Sequence, residues 1–182
     1  MARMLIVYGT SEGQAAKIAE QIAATVRRAG HDVDVRHVRD VRDAALDGYD
    51  AVVVGGSLHM GRYQPGVRDF IARHKALLES RPSAFFSVSL AAASRDPNER
   101  TAALRIAREF VAKAGWSPRL VASFAGALKY TQYGFFTRLM MKRIARKEGG
   151  STDTSRDVEY TDWDEVGRFA EQLSHAMTAD GG

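Results

Sequence analysis

Apolar positions follow two alternating patterns along the chain. Short apolar runs, "RMLIVY" (3–8), "AVVVGG" (51–56) and "SAFFSVSL" (83–90), are separated by longer stretches in which apolar residues recur every three or four positions. The short runs are typical of buried parallel strands, and the longer stretches of helices that cross over between them. "DVDVRHV" (32–38) and "RLVASFAG" (119–126) complete a set of five predicted strands.

Helix signals fall between these strands. Ile18, Ile22 and Val26 recur one turn apart, which predicts a first amphipathic helix. Three further long helices are predicted to begin at Pro65, near Asn98 and at Asp162, and a short helical turn within residues 40–48. The alternation predicts an α/β fold, a doubly wound five-stranded parallel sheet that binds ligands beyond the carboxyl ends of its strands.

Positive charge is concentrated between the fifth strand and the last helix. From Ala125 to Lys147 there are six basic residues and no acidic one; without these six, 20 of the 26 basic residues remain, against 22 acidic residues. A local basic patch favours an anionic ligand or surface at one place over a protein that coats nucleic acid. We treat residues from about 127 to 157 as an insertion at the ligand-binding end of the sheet.

The insertion contains an amphipathic pattern. Read as a helix, residues 133–147 place one set of apolar side chains on one half of the circumference: Phe135, Phe136, Leu139, Met140 and Ile144. Arg138, Lys142 and Arg146 fall on the other half, whereas Arg143 and Lys147 fall within the apolar half. Long cationic side chains among apolar neighbours are typical of a membrane interface or an anion contact. A helix packed on its own domain or on a dimer partner fits the pattern as well.

Composition removes several classes of protein. The 182 residues include no cysteine, which excludes disulfide scaffolds, iron–sulfur clusters and thiol catalysis. The five histidines lack metal-ligand spacing, so no metal is expected. The length and the 45% hydrophobic content predict a single domain over residues 1–182. Apolar runs fall short of the ~20 residues that span a bilayer, and no export signal opens the chain, so a cytoplasmic location is expected.

The loop after the first strand predicts an anion site. In "GTSEGQAAKIA" small polar residues and Gly13 precede a helix, where free backbone N–H groups and the helix dipole favour phosphate. The loop has neither the Gly-Lys-Ser/Thr of a Walker A motif nor a G-x-G-x-x-G fingerprint, which disfavours ATP and NAD. A plain turn capped by Thr10 or Ser11 stays open as an alternative.

Two further loops favour a flavin. A receiver domain would need an acidic phosphate acceptor after the third strand, where this chain has Gly55, Gly56 and Ser57. "GGSLHMGRYQPG" offers glycines for close backbone approach, and apolar and aromatic side chains that can cover a flat ring. "SLAAASRDPN", after the fourth strand, is small enough to approach the other edge of that ring.

Five segments together resemble a known family. "TSEGQ", "SLHMGRYQ", "RPSAFFSVSL", "GALKYTQY" and "GGSTDTSRDVEYTDW" are similar to the menaquinone-dependent protoporphyrinogen IX dehydrogenases, flavodoxin-fold enzymes of haem synthesis. The likeness runs from the first strand to the last helix. One departure is Ala15, where the flavodoxin pattern usually has a threonine that bonds the phosphate. Its absence is expected to weaken FMN binding by ~0.5–1.5 kcal/mol, the net worth of one hydrogen bond.

The resemblance implies a flavodoxin-like fold and a function. FMN would accept electrons from protoporphyrinogen IX and pass them to menaquinone or ubiquinone, yielding protoporphyrin IX. Cofactor-binding residues are expected to be Thr10, Ser11, Glu12, Gly13, Gln14, Ala15, Ser57, Leu58, His59, Met60, Gly61, Tyr63, Ser89, Leu90 and Ala91. Contacts with the substrate or membrane are expected from Lys129, Tyr130, Tyr133, Phe135, Phe136, Arg138, Lys142 and Arg143 as a group.

No catalytic side chain is expected, because the cofactor carries the chemistry. His59 would donate a proton or, as we favour, only cover the ring. Peripheral association with the anionic inner face of the cell membrane is expected, and a homo-oligomer is left open. Three alternative functions also stay open: a flavodoxin-type electron carrier, an NAD(P)H:quinone reductase, and a flavin-free domain that binds a partner through the insertion.

Overall fold

Five parallel strands form the central sheet, in the order β2-β1-β3-β4-β5. The computed structural model describes residues 1–41, 46–130, 135–147, 149–150 and 153–179, without the side chains of residues 135–137 and 179. The strands are β1 Arg3–Gly9, β2 Asp32–His37, β3 Ala51–Ser57, β4 Ser83–Ser89 and β5 Leu120–Ala125. The predicted doubly wound sheet is confirmed, and the predicted turn at 40–48 lies partly outside the described residues.

Six helices are described around the sheet. They are α1 Gln14–Arg28, α2 Pro65–Arg73, α3 Lys75–Ser80, α4 Pro97–Lys113, α5 Phe135–Lys147 and α6 Trp163–Ala179. Pro65 begins α2 as predicted. Asp162 caps α6, since its Oδ1 accepts the backbone N–H groups of Asp164 and Glu165 at 3.0 and 3.1 Å. The long helix predicted to begin at Pro65 is divided at His74 into α2 and α3, because the backbone leaves helical geometry there (φ −111°, ψ 19°).

The core lies in two layers, one on each face of the sheet. Adjacent residues of a strand point to opposite faces, so Phe85 and Phe86 enter different layers. Phe86 packs in the layer under α1 and α6, and Phe85 in the layer under α2 and α4. Because both faces are covered, the central strands β1, β3 and β4 are buried along nearly their whole length, whereas the edge strand β2 is only partly buried.

The insertion forms a small layer of its own beside the carboxyl ends of the strands. β6 (Ala127–Leu128), at the start of the insertion, pairs antiparallel with β7 (Val158–Glu159), which directly follows the insertion. Helix α5 packs on this ribbon through Met141 and Ala145, which contact a cluster with Leu128 and Tyr130. Among the described residues, no helix is long and apolar enough to cross a membrane.

Candidate functional site

A cavity of about 400 Å³ lies at the carboxyl ends of the strands. This volume falls within the ~300–1,000 Å³ range of small-molecule sites. Eleven of the fifteen residues predicted to bind the cofactor line it: Ser11, Glu12, Gln14, Ser57, Leu58, His59, Met60, Gly61, Ser89, Leu90 and Ala91. The three loops therefore converge on one site where the order of the strands reverses, between β1 and β3.

The first loop ends at the N-terminus of α1. Gly13 adopts a left-handed conformation (φ 89°), and its N–H donates to Thr10 Oγ1 at 2.8 Å. The first turn of α1 has no acidic residue, so the positive end of the helix dipole is not neutralised there. Thr10 and Gly13 thus shape the loop without lining the cavity. Ala15 is fully buried in the core under α1 and offers no hydroxyl to the site.

The second loop makes a tight turn at the mouth of the cavity. The backbones of His59 and Arg62 exchange hydrogen bonds at 2.9 and 3.0 Å. Between them Met60 and Gly61 both have positive φ, 48° and 75°, as turns of the reversed type require. Met60 is 80% exposed, so its apolar side chain stands free at the rim.

Tyr63 does not take part in the cavity, contrary to its predicted role over the ring. Its side chain packs against Phe85 and Phe110, with ring centroids 5.5 and 4.3 Å apart. Its hydroxyl donates to Ser87 Oγ at 2.8 Å. Burial raises the pKa of Tyr63 to about 12, although this hydrogen bond lowers it. Tyr63 is a core residue because the chain turns away from the site after Gly61.

The glycines at the end of β3 serve the core as well. A Cβ added at Gly55 would lie 2.0 Å from Phe86, and one at Gly56 would lie 2.9 Å from Tyr63. Both positions therefore leave room for aromatic side chains. The predicted role of these glycines, close backbone approach to a ligand, stays a prediction, and the structure gives them a second role in core packing.

The third loop closes the side of the cavity next to β5. Ser89 Oγ accepts the backbone N–H of Ala92 at 3.2 Å, and Ser89 O accepts that of Gly126 at 3.0 Å. These bonds hold residues 89–92 against the start of the insertion. Gly126 and Ala127 line the cavity too, a role that the sequence pattern did not indicate.

Helix α5 supplies a wall of the cavity that the sequence predicted only in outline. Met140, Met141 and Ile144 line it, together with Ile106 of α4. Met140 and Ile144 are largely exposed, as is Leu139, at 51%. The described part of the predicted apolar half, Leu139, Met140 and Ile144, thus faces outward and toward the cavity. The face that packs on the protein is the one with Met141 and Ala145.

The expected substrate or membrane contacts divide into several groups. Tyr130 is fully buried, so it cannot be an outer contact. Lys129 is only 15% exposed and lies 3.9 Å from Asp157, while Arg138 Nε donates to Tyr130 O at 3.1 Å. These two cations hold the insertion together. Lys142 is half-buried and Arg143 exposed. Tyr133 and the side chains of Phe135 and Phe136 lie outside the described residues.

The sequence missed a polar network behind the first loop. Residues 158–163, which we call the return segment, contact the N-terminal turn of α1. Gln14 Nε2 donates to Thr161 Oγ1 at 2.8 Å, and Lys17 Nζ lies 3.0 Å from Glu159 Oε2. Burial opposes ionisation of Glu159, but hydrogen bonds from Lys17, Gln14 and Trp163 outweigh it and keep the pKa of Glu159 below its ordinary value. The only sequence signal was the segment's place in the family resemblance.

These features fit FMN. The α1 N-terminus suits a phosphate, the mainly apolar cavity suits a ring, and Gln14 Oε1 is a buried acceptor without a partner among the described residues. Together the sheet order and the site define a flavodoxin-type protein. A short-chain flavodoxin associated with a bacterial microcompartment superposes with a TM-score of 0.62, at 13% identity, over 97% of this chain and 99% of that one.

Sequence comparison is more specific. The flavodoxin domain model matches residues 5–155. Protoporphyrinogen IX dehydrogenase (quinone) of Escherichia coli K12 is 38% identical over 95% of both chains, and the Leishmania major protein of that name is 36% identical over 94% of this chain and 74% of its own. The chain belongs to the flavodoxin domain family, on the branch that contains these quinone-linked protoporphyrinogen IX dehydrogenases. The predicted family and FMN cofactor are thereby supported.

Proposed function

We propose that this protein oxidises protoporphyrinogen IX to protoporphyrin IX and delivers the electrons to a membrane quinone. The observation that carries the proposal is the likeness to protoporphyrinogen IX dehydrogenases over nearly the full length of the chain, insertion included. The cavity adds chemical support, since its apolar lining suits a flat ring and its loop suits a phosphate. An electron carrier would have no use for the apolar wall that α5 adds.

The loops would hold the cofactor by three kinds of contact. Backbone N–H groups within residues 11–15, other than that of Gly13, which is already donated to Thr10, would bind the phosphate at the start of α1. Leu58 and Met60 would pack on the ring, and the backbone of residues 89–91 would approach its far edge. When bound, FMN supplies two-electron redox chemistry, and the protein orients it against the substrate. Removal of six electrons from the substrate therefore requires three rounds.

The outer surface of α5 would contact the substrate and the membrane. Leu139, Met140 and Ile144 form an exposed apolar strip that reaches the cavity mouth, and Arg143 lies beside it. An apolar strip flanked by cations fits a macrocycle that carries carboxylates, and it fits an anionic lipid surface. Each cation near such a surface contributes about 1 kcal/mol. Peripheral membrane association follows from this proposal, and the homo-oligomer stays a prediction.

Steady-state assays test the function. Porphyrin fluorescence should appear only when FMN-loaded protein, protoporphyrinogen IX and a menaquinone analogue are all present, above the rate without enzyme. NAD(P)H should not replace the porphyrinogen as electron donor. Reduction of the bound flavin by NAD(P)H, without porphyrin formation, would instead indicate a quinone reductase.

Vesicle binding tests the surface of α5 separately. The variant Leu139→Glu/Arg143→Glu should lose most of its cosedimentation with vesicles that contain phosphatidylserine, and should keep its FMN. Arg108→Glu is the matched control, because Arg108 is an exposed cation on α4, outside the insertion. Equal binding by the two variants would contradict the assignment of α5 as the membrane contact.

A further inference from the structure

The return segment joins the insertion to the cofactor loop. Glu159 ends β7, and its carboxylate accepts hydrogen bonds from Lys17 Nζ of α1 and Trp163 Nε1 of α6, both at 3.0 Å. Two residues further on, Thr161 contacts both the end of β5 and the first residue of α1. The chain that leaves the insertion therefore forms the back of the first loop.

The hydroxyl of Thr161 fixes the orientation of a buried amide, that of Gln14, which also donates a hydrogen bond to the carboxylate of Glu159. It donates its single proton to Ala125 O at 2.7 Å, so toward Gln14, at 2.8 Å, its oxygen can only accept. Gln14 must present its NH₂ group to Thr161 and turn its Oε1 away. That oxygen is buried and has no partner among the described residues, while Gln14 is 4% exposed and lines the cavity. A buried acceptor of this kind is costly unless a ligand satisfies it.

A second glutamine beside the loop shows why this orientation is specific to Gln14. Gln64 Nε2 donates to Ser11 Oγ at 2.9 Å, and Gln64 Oε1 is also buried without a partner in the described part of the chain. Among the described residues, the Ser11 hydroxyl has no second bond that commits its proton, so it can donate or accept. The Gln64 amide is thus free to reverse, and Gln64 does not line the cavity.

We infer that Thr161 is a positioning residue for the cofactor, holding Gln14 so that Oε1 accepts a hydroxyl group of the bound ligand. The inference rests on the proposed function, in which the ligand is FMN, whose sugar-alcohol chain between ring and phosphate carries hydroxyl donors. It assigns a role in cofactor binding to a residue outside the three loops. It also couples the exit of the insertion to the affinity of the site.

A double-mutant cycle on FMN affinity tests the inference. The dissociation constant of apoprotein for FMN is measured by quenching of flavin fluorescence for the wild type, Thr161→Val, Gln14→Met and the double variant. Each single variant should bind FMN about 3- to 10-fold more weakly, the effect of one neutral hydrogen bond. The double variant should bind no more weakly than Gln14→Met alone, because Thr161 acts through Gln14.

Two further variants separate positioning from general stability. Thr161→Ser keeps the hydroxyl and should stay within about 2-fold of the wild-type affinity. Thr178→Val is the matched control, because the Thr178 hydroxyl also donates to a backbone carbonyl at 2.7 Å but lies near the far end of α6. This variant should bind FMN like the wild type.

The inference would be overturned if the losses of FMN affinity of the two single variants multiplied in the double variant. It would also be overturned if Gln14→Met bound FMN like the wild type, a result that does not depend on whether Thr161→Val folds. Failure of the wild type to bind FMN would instead refute the proposed function.

Discussion

Replacement of Tyr63 by phenylalanine distinguishes a core residue from a ring-covering one. The change removes only the hydroxyl that donates to Ser87 Oγ at 2.8 Å. Ser87 is fully buried, so its oxygen is left without this partner. Loss of one partner of a buried pair costs about 1–3 kcal/mol. For a chain of this size, that lowers Tm by roughly 2–12 °C.

The stability of the protein at alkaline pH provides a second test of the burial of Tyr63. Burial raises the pKa of Tyr63 to about 12, above its value in the unfolded chain. The folded state therefore favours the neutral phenol, and this stability is present below pH ~10 and is lost as the pH rises through the folded pKa. Two pKa units correspond to about 2.7 kcal/mol. Tyr63→Phe should show a shallower loss of stability than the wild type above pH ~10.

The assay is urea unfolding of the apoprotein, followed by FMN titration. Ser87→Ala and the double variant complete a cycle, in which the double variant should be less destabilised than the two single changes predict together, because no orphaned group remains. FMN affinity should not change in any of them. If Tyr63→Phe had normal stability but bound FMN more weakly, the assignment of Tyr63 to the core would be refuted and a role at the flavin site would be supported.

Three other changes test separate parts of the fold. Gly55→Ala should cost about 1–3 kcal/mol in urea unfolding, because its Cβ would lie 2.0 Å from Phe86; normal stability would contradict this packing role. Met141→Ala should speed hydrogen exchange across α5 but not across α1, since Met141 anchors α5. The hydrogen bond from Tyr49 lowers the pKa of Asp34. The ionised Asp34 carboxylate therefore stabilises the protein above its unfolded pKa, and this stabilisation is lost as the pH falls through its folded pKa. Asp34→Asn should flatten the loss of stability below pH ~4, and an unchanged slope would contradict this.

The sequence predicted the sheet because the strand pattern is local. Residues such as Val53 and Val54 are buried on opposite faces, and an unbroken apolar run reports this directly. The loops of the site were predicted for the same reason, since they follow the strands at the edge where parallel sheets bind ligands. Tyr63 was misplaced because a run of loop residues does not indicate where the chain turns back into the core.

The helix of the insertion shows a different limit. The sequence separated an apolar half from a basic half, but amphipathicity does not say which half meets the protein. Met141 and Ala145 anchor α5 because the neighbouring ribbon offers Leu128 and Tyr130 to them, a contact made only in three dimensions. Thr161 was missed for a similar reason, since its partners Gln14 and Ala125 are 147 and 36 residues away in the chain.

The most direct test of the central claim is one half-reaction in isolation. FMN-loaded protein is mixed with protoporphyrinogen IX without oxygen, and flavin absorbance and porphyrin fluorescence are followed before and after addition of a menaquinone analogue. We predict that the flavin bleaches on mixing, and that the quinone restores its colour as porphyrin accumulates. A flavin that stays oxidised, with no porphyrin above the rate without enzyme, would contradict the proposed dehydrogenase.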